Sequence, residues 1–254
     1  MVQGVVVTSF IAESSASKEA FKTATLLKTL NVSSLITGEI GVGKKSLAKY
    51  ILPNTPVIDA SKFDELLTAL ASVNQIIITN LQNSPNLKTL IDTINSNNIR
   101  VIATANNYIE NNILDDLFSI KFDIPPLSTR EEDVEALVKI FSDEASTLFG
   151  VVNELDMNNF TPDLSRNSHS LKRQVMVNYL LQDVQDTELM DIIENYLSDK
   201  LGSNSDYREF LYLYEVPLIK SGLKQFKSQL KLSDKLGLNR NTLRKKIADN
   251  KKYL

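Results

Sequence analysis

The 254-residue chain contains no cysteine, and its single histidine is His169. Without cysteine it can form no disulfide, thiolate zinc site or cysteine nucleophile, and this composition is typical of proteins from reducing compartments. A single histidine likewise excludes metal sites built from histidine clusters. Because His169 lies between Ser168 and Ser170, we interpret it as a surface or capping residue and not as a catalyst.

Long hydrophobic runs are also missing. No apolar run approaches the ~20 residues that a membrane-spanning helix needs, and the N-terminus lacks the charged and apolar regions of a secretory signal peptide. Hydrophobic residues nevertheless make up 43% of the chain, which is enough for packed cores in one large domain or in two to three small ones. We therefore predict a globular cytoplasmic protein with no membrane partner.

A glycine-rich segment follows a predicted buried strand at residues 32–37 and precedes a predicted helix. This order is the context that a phosphate-binding loop requires, because backbone N–H groups of the loop hold phosphates and its lysine reaches the terminal ones. The alternative is a simple glycine turn between a strand and a helix. We predict that the nucleotide-binding residues of the loop are Gly38, Glu39, Gly41, Val42, Gly43, Lys44, Lys45 and Ser46.

Two features depart from a site that hydrolyses nucleotide. A strict phosphate loop places Ser or Thr directly after the lysine to hold Mg²⁺, whereas this chain has Lys45 there and Ser46 one position later. The predicted strand at 75–80 ends in Thr79 and Asn80, where hydrolysis needs one carboxylate for the metal and one for the attacking water. We therefore predict no catalytic residue, no metal site, and ATP or ADP only as a weakly bound ligand.

The last 35 residues differ in charge from the rest of the chain. Residues 220–254 contain eleven Lys and Arg against two acids, a net charge of +9, so with −3 overall the other 219 residues carry −12. Within them a short amphipathic segment reaches Gly237, and a second segment begins at Asn239 or Arg240. Such a pair is typical of a helix-turn-helix. An ordinary solvated helix pair is the alternative, but the charge asymmetry favours double-stranded DNA as the partner.

In the second of these segments, Leu243 and Ile247 share one apolar face, so the polar and basic side chains point outward. Those nearest the helix start are expected to reach base edges, and the later lysines to contact phosphates. The predicted DNA-binding residues are Gln229, Lys231, Asn239, Arg240, Asn241, Thr242, Arg244, Lys245 and Lys246.

The remaining pattern alternates strands and helices. Strands are predicted at 5–10, 57–60 and 98–106, and helices at 18–30, 187–197 and 207–226, with Ser15 or Ser17 capping the first helix. The polar stretch 199–206 is predicted to be a domain boundary. Tyr207, Phe210 and Tyr214 repeat at three and four positions, so they share one helix face.

Both motifs resemble parts of known regulators. Residues 37–44 and 124–134 resemble the bacterial enhancer-binding AAA+ activators (the NtrC-like family), and the run from 215 to 247 resembles the Fis-type DNA-binding domain that ends many bacterial regulators. This resemblance implies an α/β fold, an AAA+ P-loop parallel sheet with a helical lid, followed by an all-α Fis-type helix-turn-helix domain. It implies an α/β subdomain at 1–128, a lid at 129–200 and a DNA-binding and dimerisation domain at 206–254.

The resemblance also assigns roles to single residues. Asn106 matches the polar residue that senses the γ-phosphate, and Arg173 matches the lid arginine that contacts nucleotide, although by itself Arg173 would be a helix-surface charge. The family's trans-acting arginines have no counterpart between 114 and 122. The family also carries a GAFTGA insertion that engages the alternative sigma factor, and the segment between the helix after the phosphate loop and the strand at 75–80 is too short to contain it. The Fis-type resemblance implies a homodimer formed by the helices before the helix-turn-helix, the second of which Pro217 is expected to begin.

We therefore predict a sequence-specific DNA-binding transcription regulator with a degenerate, non-hydrolysing AAA+ domain, and RNA polymerase is a further candidate partner. One alternative is a residual ATPase or nucleotide sensor that uses the DNA-binding domain for placement. Another is an interaction protein whose basic tail meets an acidic protein or a membrane.

Overall fold

The computed structural model of the chain describes residues 10–106, 112–150, 155, 160–182 and 184–254. The strand predicted at 5–10 lies outside these residues except for Phe10. By its internal contacts the chain divides into two compact units, Met1–Asp183 and Val184–Leu254. In the described residues, no helix combines the length and the apolar composition that crossing a bilayer requires.

The first unit is built on a five-stranded sheet in the order β2-β3-β4-β1-β5. All four pairings are parallel, so the carboxyl ends of the strands meet at one edge. The sheet's interior strands are almost wholly buried, as expected where helices cover both faces of a parallel sheet. Its strands are β1 (Ser34–Thr37), β2 (Val57–Asp59), β3 (Gln75–Thr79), β4 (Arg100–Thr104) and β5 (Ile120–Asp123).

Helices cover both faces of the sheet, and two further helices pack against each other. One apolar cluster joins the first two helices to Ile36 and Ile102, and a second joins the next three to Ile76 and Ile78. The last two helices pack against each other through a separate apolar cluster that includes Phe141. The helices of this unit are α1 (Ser15–Thr29), α2 (Lys44–Ile51), α3 (Phe63–Leu70), α4 (Leu87–Ser96), α5 (Asn112–Leu117), α6 (Glu131–Phe149) and α7 (Ser168–Leu180).

Helix α1 begins earlier than predicted and has a different cap. The Ser14 hydroxyl oxygen, not that of Ser15 or Ser17, accepts the capping hydrogen bond, from the Ser17 N–H at 3.2 Å. Ser17 is buried and donates its hydroxyl to the carboxylate of Asp133. The prediction of the cap was wrong because the segment contains several serines, Ser14, Ser15 and Ser17, that can each fill a local capping pattern. The role of Ser17 could not be predicted, because its partner lies 116 positions along the chain.

The second unit is helical: α8 (Asp186–Leu197), α9 (Asp206–Phe210), α10 (Tyr212–Phe226), α11 (Gln229–Lys235) and α12 (Arg240–Asp249). Ile219, Leu232 and Leu243 form the buried cluster among α10, α11 and α12. Pro217 does not begin a helix as predicted but lies inside α10, and the break with α9 falls at Leu211.

The two compact units divide between Asp183 and Val184, and not within residues 199–206, where the sequence predicts a domain boundary. Both that polar stretch and α8 belong to the second compact unit. The functional division at 1–128, 129–200 and 206–254 stays a prediction.

Candidate nucleotide site and DNA-binding surface

The glycine-rich loop connects β1 to α2 at the carboxyl edge of the sheet. Gly43 is the N-cap of α2 with φ 108°, a backbone conformation that favours glycine. Helix α2 begins at the next residue, Lys44, so the positive end of its dipole borders the loop. A loop and a helix N-terminus in this arrangement form an anion-binding site.

Lys44 is held inside this loop. Its side chain is 8% exposed, and its Nζ donates to the carbonyl oxygens of Gly38 at 2.5 Å and Glu39 at 2.6 Å. Burial lowers the pKa of Lys44 from 10.5 to about 8, although the negative charges of Asp123 and Glu39 oppose this shift. A further bond of 3.3 Å to Asn106 Oδ1 joins two predicted nucleotide-binding residues that lie far apart in the sequence.

A cavity of about 620 Å³ opens beside the loop and the strand ends. Of the predicted nucleotide-binding residues it is lined by Gly41, Gly43, Lys44, Lys45, Ser46 and Asn106. Among the described residues, Gly38, Glu39, Val42 and Arg173 are not in its lining. Lining residues that the sequence analysis did not assign to the nucleotide site are Ile40, Lys49, Asp59, Thr79, Asn80, Thr104, Ser168 and His169.

Asp59 is a carboxylate that the sequence analysis missed. It ends β2 and lies in parallel register with Thr79 of β3, and its carboxylate accepts hydrogen bonds from Asn80 Nδ2 at 2.6 Å and from the Ser61 N–H at 3.0 Å. Burial alone would raise the pKa of Asp59, but hydrogen bonds from Ser61, Asn80 and Thr79 outweigh it and hold the pKa below its usual range. Asp59 could have been found by inspecting the last residue of every strand, since parallel strands end at one edge.

The segment before α7 is bonded directly to the glycine-rich loop. Buried Asn167 donates its Nδ2 to Glu39 Oε2 at 2.9 Å and to the Ile40 carbonyl oxygen at 3.0 Å. Ser168 donates its N–H and its hydroxyl to the Gly41 carbonyl oxygen, at 3.2 and 2.6 Å. A Cβ atom at Gly41 would lie 2.4 Å from the Arg166 carbonyl oxygen. Helix α7 is thus anchored to the loop at its first residue, and Glu39 contributes to this anchor.

His169 and Arg173 are one turn apart on α7, and only His169 lines the cavity beside the loop. Arg173 lines a neighbouring depression of about 420 Å³, which it shares with His169 and Arg166. His169 is exposed, as predicted for a surface residue. Its place in the cavity lining was not predicted, because only the bonds of Asn167 and Ser168 place α7 against the loop. A nucleotide contact by Arg173 stays a prediction.

A buried ion pair connects the loop to α6 and to the start of α1. The Arg130 side chain is 1% exposed; its Nε donates to Asp133 Oδ2 at 2.6 Å and its Nη1 to the Val42 carbonyl oxygen at 3.0 Å. Asp133 Oδ1 also accepts from the Ser14 N–H at 2.9 Å. Burial alone would raise the pKa of Asp133, but its hydrogen bonds with Ser17, Ser14, Arg130 and Glu13 hold the pKa below its usual range. This pair fixes the loop backbone at Val42.

Metal ligands are sparse. In the parts of the chain that the structure describes, no group of three or more His, Asp or Glu side chains could hold a metal ion. Asp59 is the one carboxylate among the described lining residues of the cavity.

In the second unit, α11 and α12 lie where the sequence predicts the helix pair. Gly237 has φ 63° in the turn between them. Ser228 caps α11, and Asn239 caps α12 by accepting from the Asn241 N–H at 2.9 Å. Leu243 is 1% exposed, so the apolar face predicted for α12 packs inward.

Eight of the nine predicted DNA-binding residues are exposed: Gln229, Lys231, Asn239, Arg240, Asn241, Thr242, Arg244 and Lys245. Lys246 is different, because its ammonium forms an ion pair with Glu215 of α10 and its side chain is only 29% exposed. Asn239 also uses its side-chain oxygen in the cap. DNA contact by these nine residues stays a prediction.

Comparison in sequence gives one related regulator. The chain is 30% identical over 163 residues to the DNA-binding transcriptional regulator NtrC of Azospirillum brasilense, in a match that covers 50% of this chain and 34% of that protein. The chain thus spans about a third of the length of this curated relative. No protein-family model matches the chain.

Comparison in structure gives the fold. NtrX from Brucella abortus, solved with ATP, superposes with a TM-score of 0.58 at 15% identity over 94% of this chain and 68% of that one. The same protein solved with ADP gives 0.57 at 16% identity, over 94% of this chain and 69% of that one. Domain III of the Thermotoga maritima replication initiation protein DnaA gives 0.50 at 15% identity, over 74% of this chain and 96% of that one. The α/β part of the chain therefore has the AAA+ P-loop fold, and half of the chain is related in sequence to an NtrC-type regulator.

Proposed function

We propose that the chain is a sequence-specific DNA-binding transcription regulator whose degenerate AAA+ domain binds nucleotide without hydrolysing it. The observation that carries this proposal is the surface of α12, where Arg240, Asn241, Thr242, Arg244 and Lys245 are all exposed. Side chains at the start of such a helix reach base edges in a major groove, and its basic residues neutralise phosphates. The sequence relationship to a DNA-binding transcriptional regulator supports the same function.

The proposed active form is a homodimer. Tyr207 and Tyr214 lie on two helices, α9 and α10, and not on the single helix face predicted from their spacing. They are nevertheless 81% and 68% exposed, so two large side chains are available to a second copy. Two symmetric recognition helices require half-sites about one helical turn, ~34 Å, apart. We therefore expect a palindromic operator.

Nucleotide binding is proposed for the cavity beside the glycine-rich loop. Lys44 and Asn106 contact each other there, and a protein of the same fold, NtrX, has been solved with ATP and with ADP. Loss of hydrolysis is supported by Thr79 and Asn80, which line the cavity where carboxylates act in hydrolysing enzymes. The candidate partners are double-stranded DNA and RNA polymerase, and the proposed location is the cytoplasm.

The absence of a GAFTGA insertion is part of the proposal. Helix α2 ends at Ile51 and β3 begins at Gln75, and β2 and α3 occupy the interval. A regulator of this form would act through DNA occupancy and not by remodelling an alternative sigma factor.

A residual ATPase is the second candidate, and Asp59 is the observation that favours it, because this carboxylate lies in register with Thr79. Phosphate release from ATP, measured with and without DNA, separates the two functions. We expect background turnover, because Thr79 and Asn80 replace the catalytic carboxylates and the trans-acting arginines have no counterpart between 114 and 122. An arginine finger alone contributes ~10³ to 10⁵ in rate in well-studied phosphate-loop enzymes. Turnover that both Lys44→Ala and Asp59→Asn abolish would establish the ATPase.

DNA binding is tested by genome-wide mapping of the DNA that the chain occupies, followed by binding measurements on the enriched sequence. We expect a palindromic sequence and a steep loss of affinity with salt. Arg240→Ala should weaken the enriched sequence by ~1–3 kcal/mol and relax sequence preference. Equal affinity for all duplexes, or binding that Arg240→Ala and Arg244→Ala leave unchanged, would contradict the proposal.

A further inference from the structure

The cavity beside the glycine-rich loop has an excess of positive charge. Among its described lining residues are three lysines, Lys44, Lys45 and Lys49, against one carboxylate, Asp59. A concave site lined by one sign of charge concentrates ligands of the opposite sign. This excess suits an anion that carries a high charge of its own.

One of the lysines occupies the sequence position of a metal-holding residue, and a second lies on the same helix face. Lys45 directly follows Lys44, at the position of the metal-holding hydroxyl in a strict phosphate loop. Lys49 lies four residues later on α2, hence on the same helix face, and both side chains are exposed. Their ammonium groups repel a divalent cation and attract phosphate oxygens.

The single carboxylate is already engaged. Asp59 Oδ1 accepts from the Ser61 N–H at 3.0 Å and from the Ser61 hydroxyl at 2.6 Å, and Oδ2 accepts from Asn80 Nδ2 at 2.6 Å. Mg²⁺ in nucleotide sites is held by one or two carboxylates together with the phosphates. Asp59 would have to bind the metal while keeping these partners, in a cavity that Lys45 and Lys49 also line.

His169 brings a further polar group from α7. Ser168 is fastened to the Gly41 carbonyl oxygen, so the next residue is held at the cavity by hydrogen bonds that need no ligand. An imidazole ring nitrogen can donate a hydrogen bond to a phosphate oxygen. A bound phosphate would therefore meet lysine charge from α2 and a hydrogen-bond donor from α7.

We propose that this cavity selects nucleoside di- and triphosphates in their magnesium-free form, with Lys45 and Lys49 supplying the positive charge that a metal supplies in hydrolysing sites and His169 supplying a hydrogen-bond donor. This inference rests on the proposed binding of nucleotide. A free nucleotide carries more negative charge than its magnesium complex, so a positive cavity distinguishes the two. Selection of the free form would also explain how a phosphate loop persists beside Thr79 and Asn80.

The test is calorimetric titration of the full chain with ATP and with ADP at constant ionic strength, once with EDTA and once with excess MgCl₂. We expect the free nucleotide to bind about tenfold more tightly than its magnesium complex. Lys45→Gln and Lys49→Gln should each weaken the free form by about three- to fivefold and reduce the preference. Lys88→Gln, which changes an exposed lysine of α4, is the matched control and should change neither value.

Three results would overturn the inference. Tighter binding of the magnesium complex, lost in Asp59→Asn, would assign a metal to Asp59. Equal binding of both forms, unchanged by the lysine variants, would remove the role of Lys45 and Lys49. No binding of either form by a chain that still binds its DNA sequence would refute nucleotide binding itself while leaving the DNA-binding function intact.

Discussion

At the scale of single residues, Lys44 combines a functional position with an unfavourable environment for its charge. Its folded pKa of about 8 lies below 10.5, so the unfolded chain binds the proton more tightly. Between these two pH values the unfolded state holds more protons, and the stability of the ligand-free chain therefore rises with pH. Below about pH 8 the buried ammonium is destabilising.

We predict that Lys44→Met stabilises the ligand-free chain at pH 7 while it removes nucleotide binding. A gain of about 1 kcal/mol, or roughly 2–4 °C in Tm, is expected, because such sites sacrifice stability for function. Thermal unfolding of both chains at pH 7 and pH 10 checks this, and the difference should shrink at the higher pH. A lower Tm for Lys44→Met would mean that its bonds to the Gly38 and Glu39 carbonyls outweigh the burial of its charge.

The charged form of Asp133, unlike that of Lys44, stabilises the folded chain. Its folded pKa is depressed, so its contribution is fully present above the unfolded value of 3.8 and is lost as pH falls through the folded pKa. We predict that Asp133→Asn costs about 3 kcal/mol at pH 7, because it leaves Arg130 buried without its carboxylate partner. Chemical unfolding measures this cost, and exposed Glu132→Gln is the control, expected within ~0.5 kcal/mol of the parent. If Asp133→Asn were as stable as the unsubstituted chain, the ion pair of Arg130 and Asp133 would not hold α6 to the loop.

At the scale of elements, the close approach of α10 to α11 depends on Gly222. A Cβ atom there would lie 2.2 Å from Leu232 Cδ1, and Leu232 is fully buried. Alanine favours a helix by ~1 kcal/mol over glycine, but overpacking costs about 1–3 kcal/mol. We predict a net loss of stability in the second unit for Gly222→Ala and a small gain for its exposed neighbour Ser221→Ala, both followed by unfolding of the fragment 184–254. If Gly222→Ala proved more stable, Leu232 would have another rotamer available.

The two lysines near the end of α12 should differ although they are adjacent. Lys245 is exposed, and its replacement by alanine should weaken all duplexes alike and lower the salt slope by about one. Lys246 pairs with Glu215, so Lys246→Ala should instead lower the stability of the unit by roughly 1 kcal/mol. DNA titrations over a range of salt concentrations, with unfolding of each variant, check both outcomes. If both variants lowered the salt dependence of DNA affinity equally, Lys246 would also contact the DNA.

At the scale of the whole molecule, the division at Asp183 and Val184 predicts how function separates. The fragment 184–254 should dimerise and keep most of the duplex affinity, whereas the fragment 1–183 should bind nucleotide and no duplex. Sedimentation and DNA titration of both fragments test this. The shorter fragment 206–254 should behave like 184–254 if the DNA-binding domain begins at 206. Duplex binding by the fragment 1–183, together with none by 184–254, would contradict the assignment of α12.

The sequence by itself determined the elements whose signals are contiguous. The loop with Gly43 and Lys44 was predictable because a strand, its turn and a helix follow one another within a few residues. The same holds for α11 and α12, where the caps, Gly237 and the spacing of Leu243 and Ile247 are all local signals. The α/β class followed from the alternation of apolar runs with helical patterns.

Only the tertiary structure decided which distant side chains share a site. Asp59 reaches Asn80 because parallel pairing of β2 with β3 aligns their ends, and His169 reaches the cavity because Ser168 bonds to the loop. The carboxylate that accepts from the Ser14 hydroxyl at the start of α1 and the partner of Lys246 likewise come from other parts of the chain. Periodicity and capping patterns report on neighbours one or two turns away, whereas these contacts depend on how the sheet and helices pack. No local pattern contains that information.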